Sequence, residues 1–120
     1  MTISLVMTGN RAEVQDTDAG VLAAIALAKS VGVTEWTHYK RSVATGTTDE
    51  AVAFAGVSAA KALILLTDEV GAITYKLNGG TTAIPLKPLA VHLDSAGGIT
   101  SATYTNASGA TVVIDILIGG

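Results

Sequence analysis

Apolar and polar side chains alternate along much of the second half of the chain, with the two-residue period of β-strands. In residues 111–118 (TVVIDILI) every even position is Val or Ile, whereas the odd positions carry Thr, Val, Asp and Leu. We therefore expect a strand here that is buried on one face and partly covered on the other.

Three further segments of this half predict strands bounded by turns. Residues 73–77 (ITYKL) alternate cleanly and end at an Asn-Gly-Gly turn, whose residues tolerate positive φ. Residues 89–93 (LAVHL) follow a corner marked by Pro85 and Pro88, which suit a bend better than a strand interior. Residues 99–106 are rich in β-branched side chains, and the short loop after them predicts a hairpin with the last strand.

Residues 62–67 (ALILLT) differ from these segments because they form a continuous apolar run. Such a run is typical of a central strand that is covered on both faces. We therefore expect this strand to lie between two layers of other residues.

The first half of the chain gives weaker signals, with strands predicted at residues 3–8, 34–43 and 51–55. Residues 18–30 (DAGVLAAIALAKS) are ambiguous. Alanine is the best helix former and Asp18 could cap a helix, but the apolar positions also alternate as in a strand. We favour a strand because the rest of the chain predicts β-structure, and a short helix around residues 18–30 is the alternative.

These segments together predict an all-β protein. About eight to ten short strands with regularly spaced turns are typical of a β-sandwich, and we expect one of jelly-roll type. No linker, charge block or low-complexity segment divides the sequence. The expectation is therefore a single domain over residues 1–120, with residues 1–8 as an alternative extended N-terminal arm.

Composition narrows the classes of partner. The chain has 120 residues, a net charge of −3 and no cysteine. An acidic protein lacks the clustered positive charge that binds nucleic acid or anionic lipid, so neither is expected as a partner. The absence of cysteine excludes disulfides and thiolate metal sites. The longest apolar stretch, residues 21–28, is far shorter than the roughly 20 residues that a membrane-spanning helix needs.

The mean hydropathy of +0.51 is high for a protein that stays dissolved. Because no membrane span or signal peptide accounts for it, we expect the surplus apolar surface to be buried by self-association or by docking on a larger assembly. The only tryptophan, Trp36, is either a core residue or an interface anchor, and we favour the anchor.

Side chains that could do chemistry are few. His92 and Asp94 would share one strand face and could offer two metal ligands, but a third ligand would have to come from elsewhere in the chain. We therefore favour a histidine that makes one ordinary hydrogen bond. No Gly-x-Ser-x-Gly elbow or Gly-Lys-Ser/Thr phosphate loop is present. We therefore expect no catalytic residue, no cofactor and no metal.

Several strand-and-turn patterns follow one another in a set order from residue 43 onward. They are ATGTTDEAVAF (44–54), VSAAKALILLTD (57–68), AITYKLNGG (72–80), IPLKPLA (84–90) and ITSATYTNASGATVVI (99–114). This order resembles small β-rich structural proteins of tailed bacteriophage virions.

The resemblance implies a non-enzymatic virion component. A compact domain without fibre-like repeats favours a capsid decoration (cement) protein on the outer surface of the head, with the major capsid protein as partner. Such a protein would oppose shell expansion through buried apolar area and strand pairing. We expect a homo-oligomer, with a trimer at a capsid symmetry axis favoured. The predicted interface residues are Trp36, Tyr39 and Arg41.

Two other functions stay open. A tail or neck component, such as a tail-tip or fibre-base domain, belongs to the same class of virion protein. A host-surface adhesin or carbohydrate-binding module would use the same kind of sandwich. Carbohydrate binding usually exposes several aromatic platforms, and this chain has one Trp, three Tyr and one Phe, which counts against it.

Overall fold

A computed structural model describes the backbone of residues 3–8, 11–16 and 20–26, and the backbone and side chains of residues 32–68 and 72–120. The chain divides into two compact units, Met1–Ser30 and Val31–Gly120, and each is described by itself. The described residues contain no helix long and apolar enough to span a membrane.

The first unit is an antiparallel sheet of three strands, β1 (Ile3–Thr8), β2 (Arg11–Asp16) and β3 (Gly20–Ala26), in the order β1-β2-β3. Strand β3 confirms the strand interpretation of the ambiguous alanine-rich segment over these residues, and the helix alternative is wrong there. The flanking residues 18–19 and 27–30 lie outside the described residues. Strand β1 pairs with β2 along its whole length, and a role of residues 1–8 as an arm stays a prediction.

The second unit contains eight strands in its described part. They are β4 (Trp36–Val43), β5 (Glu50–Ala51), β6 (Ala62–Thr67), β7 (Ile73–Leu77), β8 (Ile84–Pro85), β9 (Leu89–Leu93), β10 (Ala102–Asn106) and β11 (Val112–Gly119). Strand β5 is shorter than the predicted strand 51–55, and the chain turns after it at Ala55 and Gly56, which both take positive φ.

These strands form two antiparallel sheets. The first sandwich sheet has the order β4-β11-β6-β9, and the second sandwich sheet has the order β5-β10-β7-β8. Their inward side chains belong to one hydrophobic core. The all-β prediction is confirmed, and the arrangement is compatible with a small β-sandwich; the jelly-roll type stays a prediction at this point.

The core follows from the two-residue alternation. Along β11 the even-numbered Val and Ile side chains are buried, as predicted, and Leu63 and Leu65 of β6 are buried beside them. Ile73 and Tyr75 of β7 fill the same core from the second sandwich sheet. Burial of these side chains is the main stabilising contribution to the unit.

The connection after β10 is a corner between the sheets, so the predicted hairpin of β10 with β11 is wrong. Asn106 is 1% exposed, and its Nδ2 donates to the carbonyl oxygens of Val43 and Ala110 at 3.0 and 2.8 Å. Its Oδ1 accepts from the backbone N–H and the hydroxyl of Ser108. These bonds fix the loop that carries the chain from the second sandwich sheet into the first.

The prediction that β6 is covered on both faces is also wrong. Leu63, Leu65 and Thr67 are buried, but Ala62 and Ile64 are only half-buried and Leu66 is exposed. The apolar run therefore covers the core on one side and leaves an apolar outer side.

Candidate interaction surface

The outer side of the first sandwich sheet carries large apolar side chains in three rows that cross β4, β11, β6 and β9. The rows are Trp36, Gly119, Ala62 and Leu93; then His38, Leu117, Ile64 and Val91; then Lys40, Asp115, Leu66 and Leu89. Val113 of β11 extends this surface beyond the third row. We call the large apolar members the outer apolar face: Trp36, Ile64, Leu66, Leu89, Val91, Leu93, Val113 and Leu117.

The outer apolar face is open to solvent. Eight large apolar side chains are exposed in the described part of the chain, and seven of them belong to this face, from Leu117 at 37% to Trp36 at 70%. The eighth, Val33, lies over Gly119, where an added Cβ would stand 2.9 Å from its Cγ1. Because contiguous exposed apolar patches on soluble proteins mark interaction sites, this face is the candidate site.

A polar pair borders the apolar surface at its β4 side. The Nε2 atom of His38 lies 2.5 Å from Oδ1 of Asp115, diagonally across β4 and β11. The pair lines a groove of about 220 Å³ with Ile64, Leu66 and Leu117. This groove is smaller than the roughly 300–1,000 Å³ of pockets that hold small organic ligands, so it suits a protruding side chain of a protein partner better.

Trp36 stands at one end of the outer apolar face. Its exposure of 70% excludes the core alternative that the sequence left open. A large exposed aromatic side chain beside other apolar residues is a common anchor of protein interfaces. Its role as an interface residue stays a prediction.

Tyr39 and Arg41 lie on the opposite side of β4 from Trp36. The Tyr39 hydroxyl donates to the carbonyl oxygen of Ala53 at 2.8 Å, and its ring packs against the core. Arg41 donates to Glu50 at 2.7 Å and to the hydroxyl of Tyr104 at 3.3 Å. The structure therefore does not bring the three predicted interface residues together on one surface.

The groups around Arg41 hold each other in their ordinary charge states. Hydrogen bonds from Arg41 and Tyr104 lower the pKa of Glu50, and bonds to Tyr104 and Glu50 raise the pKa of Arg41. Burial raises the pKa of Tyr104. These residues line a cleft of about 430 Å³, in which Arg41 is already paired with Glu50.

Each histidine contacts one polar side chain. His38 contacts Asp115, and Nε2 of His92 lies 2.6 Å from the hydroxyl oxygen of Tyr75. This contact agrees with the ordinary hydrogen bond favoured for His92. Asp94 instead accepts from the backbone N–H of Ala96. Among the residues that the structure describes, no group of three His, Cys, Asp or Glu side chains could hold a metal ion.

Most of the outer apolar face was not predicted from the sequence. A signal was present in the continuous apolar run of β6 and in the apolar odd positions of β11, which predicted cover on a second side. The sequence could not show that the described residues of the second unit leave these side chains exposed. Comparisons with protein-family models, with curated proteins and with solved structures give no match.

Proposed function

We propose that this chain is a non-enzymatic virion structural protein that binds the outer lattice of a bacteriophage head, with the major capsid protein as its partner. The observation that carries the proposal is the outer apolar face. A stable protein interface needs a desolvated apolar centre with a polar rim, and the rows of β4, β11, β6 and β9 supply both.

The charges fit a docking surface of this kind. Lys40, His38 and Asp115 lie at the β4 side of the face, whereas β6 and β9 contribute apolar side chains to it. Apolar burial would provide affinity, and the polar pair would fix the orientation of the partner. The order of strand-and-turn patterns that resembles virion proteins supports the choice of a capsid as the assembly.

We further propose that the eight strands of the second unit follow the jelly-roll order. Numbered from one to eight along the unit, the first sandwich sheet has the order 1-8-3-6 and the second has the order 2-7-4-5. The first strand thus neighbours the eighth, the second the seventh, the third the sixth and the fourth the fifth, as in one long hairpin wrapped into two sheets. Because jelly rolls serve viral capsids and lectins alike, this order supports the fold and not the function.

Quantitative mass spectrometry of purified particles of the phage that encodes the chain tests the function. Many copies in a simple ratio to the capsid subunit are expected of a decoration protein. A few copies per particle would place the chain in the neck or tail, and absence from the particle would refute the virion role.

Binding of purified protein to shells that lack it tests the surface. Val113→Lys places a charge on the outer apolar face at a side chain that is 52% exposed, and Ala51→Lys is the matched control on the exposed side of β5. We expect Val113→Lys to weaken binding about tenfold or more, and Ala51→Lys to leave it unchanged. Equal binding by both variants would refute this docking surface.

A further inference from the structure

Strand β9 is a free edge of the first sandwich sheet. It pairs only with β6 among the described strands. Hydrogen bonds to β6 flank it at both ends, from Thr67 N–H to the Pro88 carbonyl oxygen and from Asp94 N–H to the Lys61 carbonyl oxygen. Because alternate residues of an antiparallel strand bond to the same neighbour, the N–H and C=O groups of residues 89, 91 and 93 point away from β6.

The two edges of this sheet differ in charge. Strand β4 carries Lys40 and Arg41, and charged side chains of this kind discourage pairing with another chain. Strand β9 (LAVHL) has no Asp, Glu, Lys or Arg, and its Leu89, Val91 and Leu93 are 41% to 49% exposed. An apolar edge strand without such protection is a template for strand pairing.

We propose that two copies of this chain pair through β9 as antiparallel strands, with Val91 on the two-fold axis. In this register Leu89 lies opposite Leu93 of the second copy and Ala90 lies opposite His92, so apolar side chains meet on the outer side of the sheet. Three pairs of residues (89 with 93, 91 with 91, and 93 with 89) have their N–H and C=O groups directed at the other copy. Each pair can exchange two backbone hydrogen bonds. The two sheets would join into one sheet of eight strands.

The antiparallel register relates the two copies by a two-fold axis. A two-fold contact uses the same surface on both copies and closes as a dimer. This inference concerns the isolated protein and does not depend on the proposed capsid role.

Two double variants test the register, measured by sedimentation velocity of the full chain over a wide concentration range. Leu89→Lys with Leu93→Lys places like charges opposite each other across the dimer, whereas Leu89→Glu with Leu93→Lys places opposite charges there. Both remove the same two leucines, so only the charge pairing differs. We expect a concentration-dependent dimer for the natural chain, and a dimer at least about tenfold tighter for the Glu–Lys variant than for the Lys–Lys variant.

Val91→Pro tests the backbone pairing. It removes an N–H that points away from β6, so far-ultraviolet circular dichroism should stay unchanged while the dimer is lost. Val91→Thr keeps the N–H and the β-branched shape, and its dimer should persist. A monomer at every concentration, a trimer, or equal association of the two double variants would overturn the proposal. Failure of particle binding would leave these measurements unaffected and would count against the capsid role alone.

Discussion

The corner at Asn106 gives the sharpest test of how the sequence forms two sheets instead of a hairpin. Asn106→Asp keeps the size of the side chain and its oxygen toward Ser108 but replaces the Nδ2 donor by a second oxygen. That oxygen would face the carbonyl oxygens of Val43 and Ala110, which now accept at 3.0 and 2.8 Å. The substitution therefore removes two hydrogen bonds and buries a charge among acceptors.

Two lost hydrogen bonds contribute about 1 kcal/mol each, and the repulsion and desolvation of the carboxylate add to that loss. We expect Asn106→Asp to lower the free energy of unfolding by about 3–5 kcal/mol at pH 7. The measurement is equilibrium urea unfolding followed by circular dichroism. This loss is a large part of the roughly 5–15 kcal/mol that stabilises an ordinary domain.

The stability lost in Asn106→Asp should depend on pH. Burial among carbonyl oxygens raises the pKa of the introduced carboxyl group in the folded state, so the folded variant binds a proton more tightly than the unfolded one. The variant therefore loses stability relative to the natural chain as the pH rises above about 3.9, the ordinary aspartate pKa. The difference between the two proteins should be smaller near pH 4 than at pH 7.

Asn78→Asp is the matched control. The Asn78 Nδ2 also donates to a carbonyl oxygen, that of Gly98 at 2.9 Å, but Asn78 is exposed and water can replace the lost donor. We expect a change within about 1 kcal/mol. A loss below about 1 kcal/mol for Asn106→Asp, or equal losses for the two variants, would refute the argument that the buried amide fixes the corner.

Three further predictions concern other parts of the second unit. Trp36→Ala should change the free energy of unfolding by no more than about 0.5 kcal/mol because the side chain is exposed, whereas Ile116→Ala should cost about 2–5 kcal/mol, both by urea unfolding. Tyr75→Phe should cost about 1 kcal/mol in the same assay because it removes the hydroxyl that contacts His92. The lowered pKa of Glu50 contributes stability at neutral pH that is lost as the pH falls below about 4.3. Glu50→Gln should therefore lower the melting temperature at pH 7 but not near pH 3, and an equal shift at both pH values would contradict the pairing with Arg41.

Local alternation was enough to predict several of the strands, but β2 was not predicted, and Pro85, which the sequence placed in a bend, lies in the two-residue strand β8. Residues 73–77 form β7, and the turn after them has the positive φ values at Asn78 and Gly79 that its residues favour. Residues 89–93 form β9, and the even positions of β11 are buried. These features depend on neighbours within a few residues, which the sequence displays directly.

Sheet membership could not be predicted in the same way because it depends on distant partners. The loop between β10 and β11 is short enough for a hairpin, but β10 pairs with β5 and β7 and β11 pairs with β4 and β6, and Asn106 stabilises the corner through distant and local carbonyl groups. The exposed side of β6 poses the same difficulty. An apolar side chain is expected to be buried, but the sequence does not show whether the same chain or another molecule buries it.

Pairing through β9 and docking through the outer apolar face are geometrically compatible with each other. The predicted trimer is not compatible with pairing through β9. A two-fold axis perpendicular to the joined sheet leaves both copies of the outer apolar face on the same side. Docking on a lattice would then involve two apolar faces at once, so a weak pairing through β9 would raise the affinity for the assembly without any new contact to it. A trimer instead requires two different surfaces that fit each other around a three-fold axis, and β9 paired with itself cannot provide that. If Val91→Pro binds shells much more weakly than Val91→Thr, then pairing and docking are coupled in this way, because neither variant changes the charge of the outer apolar face.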